Sequence, residues 1–76
     1  MENEILEILE EMCEDNVVKT NLDVDLFETG LLDSLLFAEL LVALEERVDV
    51  IISPSEIERE DINTPNKIIS LVKSRS

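Results

Sequence analysis

The side chains that most often carry catalysis are scarce in this sequence. It has no histidine, tyrosine or tryptophan and only one cysteine. Without histidine, neither a Ser-His-Asp nor a Cys-His arrangement can be built, and zinc sites made of histidine or several cysteines are excluded. The single glycine excludes a glycine-rich phosphate-binding loop. The many carboxylates fall on exposed helical faces, so we expect no catalytic residues and a protein that is not an enzyme.

One hydroxyl stands in a setting that suits covalent modification. Ser34 lies in the sequence GLLDSL and precedes a strongly apolar helical pattern. A phosphate ester on a serine at a helix N-terminus would face free backbone N–H groups and the positive end of the helix dipole. The same residues also fit an ordinary helix start, in which Asp33 or Ser34 is the N-cap.

Metal and thiol chemistry receive little support. Asp23, Asp25 and Glu28 lie close together, but they lack the order of ligands that an EF-hand loop requires, so we predict no metal site. Cys13 falls within an apolar helical pattern, which favours a small residue of the core or its boundary. A lone cysteine forms no internal disulfide, and this fits a reducing compartment.

Three amphipathic helices are predicted from apolar residues at the i, i+3, i+4 and i+7 spacing. They span residues 1 to about 14, residues 35 to about 48, and a final stretch that begins at Asn63, Thr64 and Pro65. Thr64 fits the N-cap of the last helix, and Pro65 fits its first position. A short helix over residues 54–60 is predicted by a capping box of Ser53 and Glu56.

The long connection over residues 16–33 carries scattered apolar residues, which predict an ordered, packed loop rather than a disordered one. Gly30 marks either a turn with positive φ or a close approach of the backbone. The apolar run over residues 50–52 has no partner strand in the sequence and is interpreted as a second packed loop.

Length and charge limit the kinds of partner. The 76 residues suffice for one domain, residues 1–76, and 45% of them are hydrophobic, which permits a core. The net charge of −13 disfavours nucleic acid and anionic membranes and suits a basic patch on another protein. No signal peptide begins the chain, and no apolar run approaches the ~20 residues that span a bilayer. We therefore expect a cytoplasmic monomer.

The motif around Ser34 resembles the phosphopantetheine attachment site of acyl carrier proteins, which have Asp-Ser-Leu at this place. The resemblance covers nearly the whole chain. It is greatest to the branch of that family that carries D-alanine for teichoic acid D-alanylation, through NVVK at residues 16–19, FETGLLDS at 27–34, ELL at 39–41 and NTPNKI at 63–68. It implies an all-α, acyl-carrier-like four-helix bundle with three main helices and one short helix.

The resemblance also implies a cofactor and a set of partners. A phosphopantetheinyl transferase would attach 4'-phosphopantetheine covalently to Ser34, and Asp33 would support it by helping to hold the magnesium of that enzyme. A D-alanine-activating ligase would load the arm. A membrane-bound O-acyltransferase at the cytoplasmic face would then take the D-alanine for lipoteichoic or wall teichoic acid.

A second apolar strip on the helix after Ser34 is not explained by the core. Its neighbours are acidic, and together they suggest a partner-binding face, although a merely solvated face is the other interpretation. The candidate partner-binding residues are Leu35, Ala38, Glu39, Val42, Glu45 and Glu46.

The cargo is open to a second interpretation. Peptidyl carriers usually have paired glycines where this chain has Leu31 and Leu32, and fatty-acid carriers usually have polar residues where it has Leu36 and Phe37. Bulky side chains leave little space for a long acyl chain, but Leu35 is typical of fatty-acid carriers. The alternatives are therefore an acyl carrier of fatty-acid or polyketide synthesis and, in another class, an unmodified acidic interaction domain.

Overall fold

Four α-helices and two 3₁₀ turns make up the fold in a computed structural model that describes residues 2–75. Three helices are long: α1 (Glu2–Cys13), α3 (Ser34–Val48) and α4 (Pro65–Arg75). The fourth, α2 (Val17–Thr20), is a single turn. No strand occurs within residues 2–75. The expected all-α architecture of three main helices and one short helix is confirmed, and Met1 of the predicted first helix lies outside the described residues.

The core is built from aliphatic side chains of all three long helices. α1 packs against each of the other α-helices and so lies at the centre of the bundle. No charged or polar residue is buried within residues 2–75. The buried residues that the long helices contribute are Ile5, Ile8, Leu9, Leu40, Leu41, Leu44, Pro65, Ile68, Ile69 and Val72.

The short helix predicted over residues 54–60 is wrong in its position and its form. The structure has two separate 3₁₀ turns there, Pro54–Glu56 and Arg59–Asp61. Ile57 divides them because its backbone is extended and its side chain is buried in the core. Because Ile57 is extended and buried, one continuous helix cannot form over residues 54–60.

Each 3₁₀ turn is closed by its own carboxylate. The predicted capping box at Ser53 is present, with Glu56 Oε2 accepting the Ser53 N–H at 3.3 Å. Asp61 Oδ2 accepts the Glu58 N–H at 2.8 Å in the second turn. Two adjacent caps favour two short turns over one longer helix.

The connection over residues 16–33 is packed, as the sequence predicted, but it contains α2, which the sequence analysis did not anticipate. One helical turn is too short to show the 3.6-residue periodicity. It forms because Asp15 Oδ1 accepts the Val17 N–H at 3.0 Å and because Val18 is fully buried. The run at residues 50–52 is a packed loop, as predicted, in which Ile51 alone is exposed.

Exposed ion pairs cross-link the helices. Arg47 of α3 bonds to both Glu4 and Glu11 of α1, and the distance from Arg47 Nη2 to Glu4 Oε1 is 3.0 Å. Such solvent-exposed pairs stabilise a fold only modestly. None of the helices within residues 2–75 has the length and apolar character to cross a membrane.

Candidate functional site

Ser34 is the first residue of α3, and Asp33 is its N-cap. The Asp33 backbone is extended, with φ −136° and ψ −175°, and its Oδ1 accepts the Leu36 N–H at 2.9 Å. The Asp33 carbonyl oxygen accepts the Phe37 N–H at 2.8 Å. The structure thus decides between the two N-caps that the sequence allowed.

The capping by Asp33 leaves Ser34 free to point into solvent. Ser34 is exposed, and its hydroxyl makes no hydrogen bond to any part of the chain that the structure describes. The backbone N–H groups of Ser34 and Leu35 also have no acceptor within residues 2–75, as is normal for the first turn of a helix. An accessible oxygen therefore lies beside two unused N–H donors.

A tight turn centred on Asp25 shapes the loop that leads to Ser34. Asp25 Oδ1 accepts the N–H groups of Phe27 at 3.1 Å and Glu28 at 2.9 Å. The Asp25 carbonyl oxygen accepts the Thr29 hydroxyl at 2.7 Å. Gly30 then leaves the turn with φ +78°, and a Cβ there would meet nothing within 4 Å. Of the two roles the sequence allowed for this glycine, the structure therefore supports the positive φ.

Leu26 fastens this loop to the body of the protein. Its side chain is fully buried, and its N–H donates to the carbonyl oxygen of Asn63 at 2.7 Å. Its own carbonyl oxygen accepts the Leu32 N–H at 2.9 Å, two residues before Ser34. The position of Ser34 is therefore tied to the start of α4 through Leu26 and Leu32.

Two asparagines near the start of α4 make further contacts that the sequence analysis did not anticipate. Asn63 Nδ2 donates to Asp25 Oδ2 at 3.4 Å, and Asn66 Nδ2 donates to Asp23 Oδ1 at 2.9 Å. The Asn66 N–H also donates to the carbonyl oxygen of Leu22 at 3.0 Å. Asp23 and Asp25, considered above as calcium ligands, thus accept hydrogen bonds from side chains of the protein itself. No group of three or more potential metal ligands occurs within residues 2–75.

Thr64 caps α4 as predicted, since its Oγ1 accepts the Lys67 N–H at 3.2 Å. This cap fixes the first turn of the helix on which Asn66 lies. The spacing of Asn63 and Asn66 around Thr64 was visible in the sequence, but the partners of the two asparagines were not, because they lie about forty residues away.

An aromatic contact joins the loop to α3 one turn beyond Ser34. The rings of Phe27 and Phe37 meet edge to face, with centroids 6.5 Å apart and planes at 76°. The Arg59 guanidinium lies 5.0 Å from the centroid of Phe27, a cation–π distance. The loop is thereby held between α3 and the second 3₁₀ turn.

The outer face of α3 exposes the apolar strip that the sequence singled out. Leu35 is 69% exposed and Val42 53% exposed, and Ala38 lies between them at the i, i+3, i+7 spacing of one helix face. The acidic residues assigned to this face, Glu39, Glu45 and Glu46, are also exposed. The structure brings the six residues onto the solvent side of α3, opposite the buried stripe.

Cys13 is half-buried at the end of α1, as the sequence predicted. Burial, and then the negative charge of Asp15, raises the pKa of its thiol above the ordinary value. The reactive thiolate is therefore a minor species near neutral pH.

Comparison with known proteins decides the family. Residues 3–72 match the family described as phosphopantetheine attachment site. The chain belongs to this family. It is 47% identical over 75 residues to the D-alanyl carrier protein of Abiotrophia defectiva, covering 99% of this chain and 95% of that protein. It is 50% identical over 66 residues to the D-alanyl carrier proteins of Bacillus cereus and Bacillus anthracis, covering 87% of this chain and 84% of each of those proteins.

The geometry around Ser34 fits the phosphopantetheine group that gives this family its name. A phosphodiester needs an accessible oxygen to be attached to, and it is stabilised by N–H donors at a helix start. Ser34 and the first turn of α3 provide both.

The N-cap at Asp33 is a testable element of this site. We expect Asp33→Ala to lower the free energy of unfolding by about 1 kcal/mol, because the Leu36 N–H loses its acceptor. Asp33→Asn keeps an acceptor and should cost only a few tenths of a kcal/mol. Urea unfolding measures both. Glu46→Ala, which removes the same charge without a cap, is the control, and equal stability of Asp33→Ala and the wild type would contradict the assignment.

Proposed function

We propose that the phosphopantetheine arm is attached to Ser34 Oγ and that this chain carries D-alanine on it as a thioester. The observation that carries the proposal is the exposed, unbonded hydroxyl of Ser34 at the first position of α3. The other serines within residues 2–75 lie elsewhere: Ser53 and Ser55 bond to each other at a 3₁₀ turn, and Ser70 and Ser74 lie within α4.

The attachment requires Ser34 Oγ to attack a phosphorus of coenzyme A. A new P–O bond forms to Ser34, and the phosphoanhydride P–O bond of coenzyme A breaks, so that the nucleotide bisphosphate leaves with the bridging oxygen. The serine proton passes to the transferase. Asp33 supports this step because only its Oδ1 is engaged in the helix cap, whereas Oδ2 makes no hydrogen bond within the described chain. This second oxygen is available to a magnesium ion held by the transferase.

Two observations support D-alanine as the cargo. The relatives above, at 47% and 50% identity over most of the chain, are D-alanyl carrier proteins. The α3 residues that follow Ser34 are also bulky: Leu36 and Phe37 both pack against the core, and Phe37 is held by Phe27. A small, charged aminoacyl group needs no apolar shelter and remains in water at the end of the arm.

The proposed role is that of a carrier, and the chemistry belongs to its partners. When bound, the arm supplies a thiol that holds the acyl group in activated form on a flexible tether. The partners are a phosphopantetheinyl transferase, a D-alanine-activating ligase and a membrane-bound O-acyltransferase that passes the D-alanine on for lipoteichoic or wall teichoic acid. Coenzyme A and ATP would be drawn from the cytoplasm, where we place the protein as a monomer.

The outer face of α3 is proposed as the surface that these partners bind. Leu35, Ala38 and Val42 provide an apolar centre that begins next to Ser34. The surrounding carboxylates form an acidic rim that would pair with basic residues of a partner. Charge complementarity at such a rim speeds association and selects the partner.

The attachment site is tested with the Ser34→Ala variant. Incubation with coenzyme A, magnesium and a broad-specificity transferase should add one arm to the wild type and none to Ser34→Ala, because the acceptor oxygen is gone. Intact-mass spectrometry measures the addition. An arm on another serine of the variant would refute the assignment, and an unmodified wild type would favour the acidic interaction domain instead.

The cargo is tested on the arm-bearing protein. We expect a D-alanine-activating ligase with ATP to load it efficiently, and a fatty-acyl ligase to load it poorly, because Leu36 and Phe37 leave little room for a long chain. Mass spectrometry of the thioester reports each product. The reverse preference would support an acyl carrier of fatty-acid or polyketide synthesis.

The partner face is tested by placing a charge in its apolar centre. Val42→Asp should slow loading by the ligase about tenfold without changing helicity, since one desolvated contact is lost. Ile51→Asp is the matched control, because Ile51 is 73% exposed but lies beyond the C-terminal end of α3. Equal loading rates for Val42→Asp and the wild type would show that this face is only solvated.

A further inference from the structure

The side-chain amide of Asn63 is used on one side only: its nitrogen bonds to Asp25, but its oxygen has no partner within residues 2–75. Asn63 Nδ2 donates to Asp25 Oδ2 at 3.4 Å, while Asn63 Oδ1 is buried and has no hydrogen-bond partner within residues 2–75. A buried acceptor without a partner is unfavourable and uncommon. The opposite orientation of the amide would bring its oxygen against the Asp25 carboxylate, so the contact with Asp25 determines how the amide is placed.

Asp25 is in turn the residue on which the turn before Ser34 is built. Its Oδ1 accepts two backbone N–H groups, those of Phe27 and Glu28, while its Oδ2 faces Asn63. Asn63 holds the next residue as well, because its carbonyl oxygen accepts the Leu26 N–H at 2.7 Å. Asn63, which lies just before α4, therefore bonds to two consecutive residues of the loop, Asp25 and Leu26.

Hydrogen bonds of the loop also restrain the backbone just before Ser34. The Leu26 carbonyl oxygen accepts the Leu32 N–H at 2.9 Å, and Leu32 is 2% exposed. Asp33, which caps α3, and then Ser34 follow directly. The path from Asn63 to Ser34 thus consists of hydrogen bonds and buried leucines and contains no long unrestrained segment.

We propose that Asn63 is a positioning residue, which through Asp25 and Leu26 sets the place of Ser34 for the enzyme that modifies it. This inference rests on the proposed attachment at Ser34. The hydrogen bonds of Asn63 go to Asp25 and Leu26, and none goes to Ser34. A misplaced acceptor oxygen lowers the rate of the chemical step, whereas the outer face of α3, to which Asn63 makes no hydrogen bond, continues to bind the enzyme.

The test exchanges the amide and carboxylate side chains at positions 63 and 25. Asn63→Asp sets two carboxylates against each other and loosens the turn. Adding Asp25→Asn restores a pair of one amide and one carboxylate with the direction reversed, and the new amide oxygen at position 25 still accepts the two backbone N–H groups. Asn16→Asp is the matched control, because it makes the same change in charge at an exposed residue before α2.

Two readouts are made on protein without the arm. Amide hydrogen exchange at Leu32 and Leu36 should quicken about tenfold in Asn63→Asp, because the loop opens more often. The transferase kcat should fall about five- to tenfold with KM changed less than about twofold. The double variant should return both values to within about twofold of the wild type, and Asn16→Asp should leave both unchanged.

The outcomes separate this inference from the proposal on which it rests. If the wild type takes no arm at Ser34, the proposed function fails. If the wild type is modified but Asn63→Asp matches it in exchange and in kcat, or if the folded double variant does not recover, Asn63 has no positioning role. Circular dichroism verifies folding, and Asn63→Ala, which removes the donor without adding charge, replaces Asn63→Asp should that variant not fold.

Discussion

Leu26 is the residue through which the loop before Ser34 is held to the bundle. Its side chain is fully buried, its N–H is bonded to Asn63 and its carbonyl oxygen to Leu32, so each of its groups restrains a different part of the chain. A domain of this size has little core to spare, since it buries only roughly 60% of its unfolded surface. Anchoring the loop at one leucine allows Ser34 to be exposed and yet held in place. The turn at Asp25 immediately precedes this anchor, the cap at Asp33 directly follows Leu32, and Asn63 at the start of α4 accepts the Leu26 N–H.

The acidic surface lowers the stability of the fold and suits the binding of basic partners. With 19 acidic and six basic residues, most carboxylates have no cation to pair with, and their mutual repulsion opposes compaction. Three cations join α1 to another helix, since Lys19 links it to α2, Arg47 to α3 and Lys73 to α4. On the outer face of α3 the carboxylates remain unpaired within the described chain, and this is the surface on which the proposal places basic partners. The same charge that weakens the fold would speed encounters with basic partners.

The sequence predicted the parts of this fold that depend on local pattern. The three long helices and the Thr64 cap follow from periodicity and capping preference. For Gly30 the sequence left two roles open, and the structure shows the positive φ. The position of Ser34 before an apolar helical pattern singled it out, the family resemblance supported that choice, and the structure adds that the serine is exposed directly after the N-cap of α3. The short helix was misplaced because burial of Ile57 breaks one stretch into two turns. The contact between Asn63 and Asp25 was invisible in the sequence, because only tertiary packing brings residues 38 positions apart together.

We propose that this chain holds an activated D-alanine on an arm attached to Ser34. The most direct measurement is the intact mass of the protein isolated from its native host, followed by peptide mapping under conditions that preserve thioesters. We expect a mass increase equal to one phosphopantetheine, and in a fraction of molecules a further increase equal to one alanyl group, with both located on the peptide that contains Ser34. An unmodified chain, an arm on another residue, or a fatty acyl group in place of alanine would contradict it.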